Sequence, residues 1–330
     1  MKKILNRLTQ YETLTEKESR DIIIDISEGK LNTSEISSFL TIFMIRNITI
    51  EELNGFRKAL IELSLKIDLN EFDPIDLCGT GGDEKDTFNI STLASFVTAG
   101  SGVKVAKHGN YGVSSSCGSS NVLEYLDLKF NNDSDKIRKA VDKANICFLH
   151  APLFHPAMKN VAPVRKELGL KTFFNMLGPM VNPSMPKKQV VGVYNLELAR
   201  IYNYLYQTTD INYNIIHSID GYDEISLTKG TKVYSRKSEF ILDSEDFNLK
   251  DIDSQNIRGG KDIESSSKIF MDVLNGEASN DQENVVCANA SLAIAISKDI
   301  SIIEAFDKAK ESIKTKNALK CFNELINIMK

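Results

Sequence analysis

Between Asp76 and Thr92 the chain reads DLCGTGGDEKDTFNIST, with glycines at 79, 81 and 82 followed closely by Asn89, Ser91 and Thr92. Glycines in such a run let the backbone turn sharply and bring N–H groups close to an anion. The residues before the loop, IDLC, read as a strand and those after it, STLASFVTAG, as a helix, which is where parallel α/β sheets bind ligands. Two standard readings fail on spacing. A dinucleotide fingerprint needs a third glycine where Glu84 stands, and no Gly-Lys-Ser/Thr follows to complete a P-loop. What remains is a nonstandard phosphate cradle: Asn89, Ser91 and Thr92 offer donors beside a helix N-terminus whose dipole favours phosphate. A plain glycine turn is the bland alternative.

A second loop strengthens the phosphate reading. VKVAKHGNYGVSSSCGSSNVLEYL places Lys107, His108, Gly109 and Asn110 at a strand end, then Ser114, Ser115, Ser116 and Ser119 before a helix. Lys107 can supply a point charge to phosphate, and the hydroxyls can supply hydrogen bonds. A flexible serine linker is the weaker alternative, because NVLEYL resumes regular structure at once. Two such loops imply a ligand with phosphate at more than one point, and such ligands usually bring Mg²⁺. SIDGYDEISLT supplies Asp223 and Glu224 after a strand-like run, with Gly221 for the turn. Paired carboxylates completed by water and phosphate oxygens suit magnesium, although an isolated Asp-Glu dipeptide is usually only a solvated charge.

The elements that must position these loops follow from periodicity. From Leu14 to about Asn70 the pattern is helical, with starts at Thr15, Asn32 and Thr49, each followed three residues later by Glu. Ile36, Phe39, Leu40 and Phe43 form an apolar stripe, and Gly29 marks a stop. After Asp73-Pro74, short apolar runs alternate with helical ones, predicting a largely parallel sheet covered by helices. KVYSRKSEFILDSEDF reads as edge hairpins, and three helical patterns from about Glu264 close the chain. The expected organisation is a small helical domain over 1–70, with a returning helical segment near 155–185, and an α/β domain over 71–330.

Composition narrows the function classes. With 330 residues and 42% hydrophobic content the chain can bury a substantial core. A net charge of −5 provides no overall field for nucleic acid or an anionic membrane, so a charged ligand needs a local site. No run has the length of a membrane span or the form of a signal peptide, which makes the cytoplasm the expected location. The five cysteines are scattered, with no CxxC pair, and read as reduced thiols.

Several ordered motifs together resemble the anthranilate phosphoribosyltransferase family of tryptophan biosynthesis: GTGGD at 79–83, NIST at 89–92, KHGN at 107–110, HPAMKNVAPVRKELGLKTFFNMLGPMVNP at 155–183, GYDE at 221–224 and RGG at 258–260. The resemblance spans nearly the whole chain. It implies a small helical domain hinged on a larger α/β domain with a mostly parallel central sheet, similar to the nucleoside phosphorylase II fold, and usually a homodimer formed through the small domain. It implies Mg-dependent transfer of the phosphoribosyl group of 5-phosphoribosyl 1-diphosphate (PRPP) to the amine of anthranilate, with diphosphate leaving.

In that resemblance Gly79, Gly82, Asp83, Thr87, Asn89, Ile90, Ser91, Thr92, Lys107 and Ser119 match positions that bind PRPP. Ser91, Asp223 and Glu224 match ligands of two Mg²⁺ ions per subunit, and Asn110 and Arg165 match anthranilate contacts, with Gly79 nearby. His108 is assigned the amine proton, and His155 joins it in lining the amine pocket; His150 and His217 read as ordinary strand-end residues. Arg165 sits in a stretch where Pro156 can begin a helix and Gly169 end it. A guanidinium there can bind a carboxylate bidentately.

The second loop departs from the commonest family pattern. Tyr111-Gly112 stands where Arg-Ala commonly follows KHGN, and Ser115-Ser116-Cys117-Gly118 where Ser-Lys-Ser-Gly is common. These changes bear on cationic contacts to phosphate and on loop stiffness. Departure of diphosphate needs charge stabilisation more than a covalent nucleophile, so Cys117 reads as a small packed residue. A pyrimidine nucleoside phosphorylase shares the fold but has no need of the acid pair or of Arg165. A noncatalytic nucleic-acid-binding relative should show a basic groove and loss of the acids.

Overall fold

In the computed structural model, which describes residues 1–112 and 117–330, the chain divides into two units. One is Met1–Ile67 with Ala151–Pro183; the other is Asp68–His150 with Ser184–Lys330.

In the helical unit, Thr15, Asn32 and Thr49 open helices Glu16–Ser27, Thr33–Ile45 and Ile50–Glu62 with reciprocal capping boxes to Glu18, Glu35 and Glu52. A further helix, Lys2–Leu8, precedes them and has no side-chain cap to announce it. The expected single helix from Pro156 to Gly169 is two pieces. Pro156–Asn160 is a 3-10 turn, and the α-helix starts only at Ala162, with a proline in its first turn. Proline lacks the N–H that an interior helical position would donate, so Pro163 suits a first turn and not a continuing helix. Gly169, at φ 63°, does end it.

The returning segment completes the core of this unit. Phe173 stacks on Phe56 at 4.4 Å and meets Phe39 and Phe43 edge-on at 5.9 and 5.4 Å. Such aromatic pairs add to the free energy of burial itself. Beside them, fully buried Glu52 pairs with Arg46 and accepts from the N–H groups of Leu14 and Thr49, each at 2.9 Å.

The second unit is built on a seven-stranded sheet of order β3-β2-β1-β4-β5-β6-β7. The strands are β1 (Ile75–Gly79), β2 (Val105–Gly109), β3 (Ile146–His150), β4 (Lys188–Gly192), β5 (Asn212–Ser218), β6 (Thr231–Ser235) and β7 (Glu239–Leu242). The first five in space are parallel, and β6 and β7 form the antiparallel edge hairpin that the polar, β-prone run predicts. The chain builds β1, β2 and β3 outward, then returns to place β4 on the other side of β1. The crevice above β1 and β4 is therefore the topological switch point. Helix Ile90–Gly100 packs against Asn280–Lys298 and Asn317–Met329.

Four helices close the chain where the sequence pattern predicts three, the fourth being Asn317–Met329. It follows Lys316, a left-handed residue with no capping side chain, so the usual start signal is missing. No single helix among the described residues is long and apolar enough to cross a membrane. Replacing Glu52 by Ala strands Arg46, whose side chain is only 7% exposed, without its counter-charge. The expected loss is about 3 to 5 kcal/mol of stability, read as a lower urea midpoint.

Candidate active site

The site begins with two facing glycines. Gly79 at the end of β1 pairs in register with Gly192 at the end of β4. A β-carbon on Gly79 would stand 2.5 Å from Asp223 Oδ2, and one on Gly192 would overlap the Asp223 carbonyl group. Only bare backbone at both positions lets the segment after β5 lie across the switch point. The Gly81 N–H donates to Asp223 Oδ2 at 2.8 Å, and the Ser91 N–H, in the first turn of Ile90–Gly100, donates to Glu224 Oε1 at 2.8 Å.

This acid segment is also held from beneath. The Ser218 hydroxyl donates to the Glu224 carbonyl at 2.6 Å. Asn289, buried in helix Asn280–Lys298, accepts from the Ile225 N–H at 3.0 Å and donates back to the Ile225 carbonyl at 2.8 Å.

Asp223 and Glu224 are both buried. Burial first, then Asp83 for Asp223 and Asp223 for Glu224, hold both carboxyls well above the usual carboxylate range. Lys107 is the buried cation here. It lies 2% exposed, donates from Nζ to the Leu77 carbonyl at 2.6 Å, and has its pKa lowered by burial against the opposing pull of Asp76. Among the described residues no three His, Cys, Asp or Glu side chains form a closed metal cage. An acid pair short of positive charge, offering only hard oxygens, fits a divalent cation whose shell is completed by ligand and water oxygens.

The rest of the first loop surrounds this pair. Gly82 takes φ +81°, and Asp83, hydrogen-bonded to Asp223, also accepts from the Lys85 N–H at 3.2 Å. Thr87 pairs with Arg258 in an isolated bridge, and the Gly259 N–H donates to the Asp86 carbonyl at 2.7 Å, so the RGG run braces the loop. Asn89 precedes the helix and donates from Nδ2 to the Cys117 carbonyl at 3.1 Å. Ser91 is half-buried at the helix start, whereas Ile90 and Thr92 are buried on its packed side.

In the second loop the His108 N–H donates to Asp76 Oδ1 at 3.2 Å, and its imidazole is buried. The Asn110 carbonyl accepts from the Ser119 hydroxyl at 3.1 Å and the Ser120 N–H at 3.2 Å. Asn121 Oδ1 accepts from both Gly112 and Gly118 N–H groups at 3.0 Å, and so fastens the loop at its neck. Tyr111 donates to the Glu124 carboxylate at 3.3 Å and sets its ring edge-on to His150 at 4.9 Å. Ser114, Ser115 and Ser116 lie outside the described residues. Cys117 is buried, and burial pushes its thiol up, which disfavours a thiolate nucleophile. His150 bonds Ser120 Oγ at 2.9 Å and His217 bonds the Val193 carbonyl at 2.8 Å, both as strand-end residues.

In the helical unit, Arg165 donates from Nη2 to Asn175 Oδ1 at 3.1 Å, and its guanidinium lies 5.5 Å from the Phe174 ring centroid. Its Nε is buried and has no partner among the described residues, and burial lowers its pKa. A desolvated guanidinium with an unused Nε donor and no acidic partner among the described residues is suited to bind a carboxylate. His155, by contrast, is buried among the backbone groups of Val181 and Leu60, and burial pushes it down to about 4. It is a neutral core histidine.

Comparison with known proteins gives the family. Residues 71–319 match the model of a glycosyl transferase family α/β domain, and residues 2–64 match its helical bundle domain. Anthranilate phosphoribosyltransferase of Christiangramia forsetii is 60% identical over 325 residues, covering 98% of each chain. The chain belongs to the anthranilate phosphoribosyltransferase family. The crystal structure of that enzyme from Thermus thermophilus superposes with a TM-score of 0.91 at 28% identity, covering 98% of each chain. The Saccharomyces cerevisiae enzyme in complex with PRPP and Mg also gives 0.91 at 28% identity, covering 98% of this chain and 96% of that one.

Sequence reasoning overlooked Gly192, Ser218 and Asn289, which hold the acid segment of this family member in place. A signal existed for Asn289, the polar residue inside the apolar run VVCANASLAIA. For Gly192 nothing but its strand-end position pointed to a role.

A carboxyl whose folded pKa lies above its unfolded value near 4 costs stability as it ionises. Its contribution is fully present below that pH and is lost as pH rises through the raised folded value. Metal-free protein should therefore lose stability between pH 5 and pH 8. Asp223→Asn should reduce that loss by on the order of 1 kcal/mol, read by urea denaturation in a chelating buffer.

Proposed function

We infer that the protein transfers the phosphoribosyl group of PRPP to the amine of anthranilate, giving N-(5-phosphoribosyl)anthranilate and diphosphate, the second step of tryptophan synthesis from chorismate. Family membership and the relative solved with PRPP and Mg support this reading. The single structural observation that carries it is the buried acid pair Asp223 and Glu224 at a switch point lined by backbone N–H groups.

Anionic PRPP cannot approach three neighbouring carboxyls unless a cation comes with it. Asp223 and Glu224, with the Ser91 hydroxyl, are assigned to two Mg²⁺ ions per subunit. Mg²⁺ held there would supply screening of the negative charge that builds on diphosphate as it departs. The chain's own part is binding and orientation. Gly79, Gly82, Asp83, Thr87, Asn89, Ile90, Ser91, Thr92, Lys107 and Ser119 are assigned to PRPP. The dipole of helix Ile90–Gly100, whose N-terminus lies at the glycine loop, adds a fixed positive potential.

Asn110 and Arg165 are assigned to anthranilate. Arg165 takes the carboxylate, which leaves the neighbouring amine to attack the anomeric carbon with inversion. Oxocarbenium character on the ribose makes a strong base unnecessary, and His108, one residue from Gly109 and Asn110, is assigned the amine proton. A cytoplasmic homodimer is the expected state, and five buried free thiols suit a reducing compartment.

The test follows the loss of anthranilate fluorescence on mixing with PRPP. Turnover should depend on Mg²⁺ and stop on chelation. Arg165→Ala should raise the anthranilate KM about tenfold or more while acting mainly on binding. Well-folded protein with no turnover at saturating substrates would refute the acceptor assignment.

A further inference from the structure

The segment TFFN, Thr172 to Asn175, is quoted in the family resemblance but given no role there. In the structure it forms a cradle around one cation. The Asn175 N–H donates to the Thr172 carbonyl at 2.9 Å, and the Thr172 N–H returns a hydrogen bond to Asn175 Oδ1 at 3.0 Å. This two-way clasp fixes the amide side chain from its own turn. The same Oδ1 then accepts from Arg165 Nη2 at 3.1 Å.

Phe174 supports the flat face of the guanidinium. It is not a free ring: it stacks on Phe173 at 4.5 Å, and Phe173 stacks on Phe56 at 4.4 Å in the core of the helical unit. Arg165 is thus held by one edge and one face, both anchored to fixed structure, while Nε has no partner among the described residues. The Thr172 hydroxyl is likewise buried without a partner among them. Nε of Arg165 and the hydroxyl of Thr172 are thus left with unused hydrogen-bonding capacity.

An arginine needs help to serve as a carboxylate receptor. Its side chain is long and flexible, and ordering it on binding costs free energy. The partner that orders it must be neutral, because an acid would cancel the charge meant for the ligand. We propose that Asn175 is a positioning residue for anthranilate, holding the Arg165 guanidinium in a fixed plane through a neutral amide oxygen so that its remaining N–H groups stay available to the substrate carboxylate. This rests on the reading of Arg165 as the carboxylate receptor.

Asn175→Asp separates this role from a merely structural one. The carboxylate keeps both acceptor interactions and so retains the clasp, but it places a negative charge on Arg165. N175D, N175L, R165A and the double variant R165A/N175D would be compared by melting temperature and by the KM for anthranilate and for PRPP. N175D should melt as the parent does, raise the anthranilate KM about tenfold or more, and change the PRPP KM by less than about twofold. Adding N175D to R165A should give no further rise, because both act through one group. N175D with the parent's anthranilate KM, while R165A raises it, would overturn the positioning role and leave the Arg165 reading intact. R165A with the parent's KM would overturn that reading and this inference with it.

Discussion

Two acids, Asp223 and Glu224, sit buried above facing glycines, and the geometry of the α/β unit is arranged around them. Gly79 and Gly192 must both lack a β-carbon for Asp223 to lie where it does. Backbone N–H groups from the glycine loop and from the first helical turn point at the acids, while Ser218 and Asn289 hold the segment from the other side. Holding two acids in a dry, fixed place works against stability once they ionise, and is compatible with a site completed by a bound cation.

The electrostatics of the whole chain and of the site differ for this reason. A net charge of −5 would repel a polyphosphate, and the switch point adds further acids. The oriented dipoles at the switch point, from the helix start at Ile90 and the turn at Gly81, are directed at the acids themselves. Lys107 fits this pattern. Its ammonium is drawn in toward the Leu77 carbonyl and balances the buried acids, instead of projecting from the loop as a bare charge.

The helical unit shows a different arrangement, one cation, Arg165, held by the neutral side chains of Asn175 and Phe174. Its phenylalanine core extends through Phe173 to Phe174 and ends beneath Arg165. Core packing and the support of Arg165 share the same few residues. The segment from Ala151 to Pro183 returns to this unit because its aromatic side chains complete a core that the first four helices leave open.

What the sequence by itself determined was local. Capping boxes at Thr15, Asn32 and Thr49, the alternation of strand and helix after Pro74, the glycine loop and the adjacent acids are all set by interactions within a few residues. The starts that escaped notice, at Lys2 and Asn317, both lack a capping side chain, and neither follows a glycine loop such as the one that announces Ile90. Tertiary structure decided the rest. Gly192 meets Asp223, Asn289 meets Ile225, and Lys107 turns toward Leu77 across gaps in sequence that no periodicity encodes. A motif names the side chains available for chemistry. Which of them face each other, and which are desolvated, depends on strand order and packing, because burial and distance are properties of the assembled fold and set both charge state and reach.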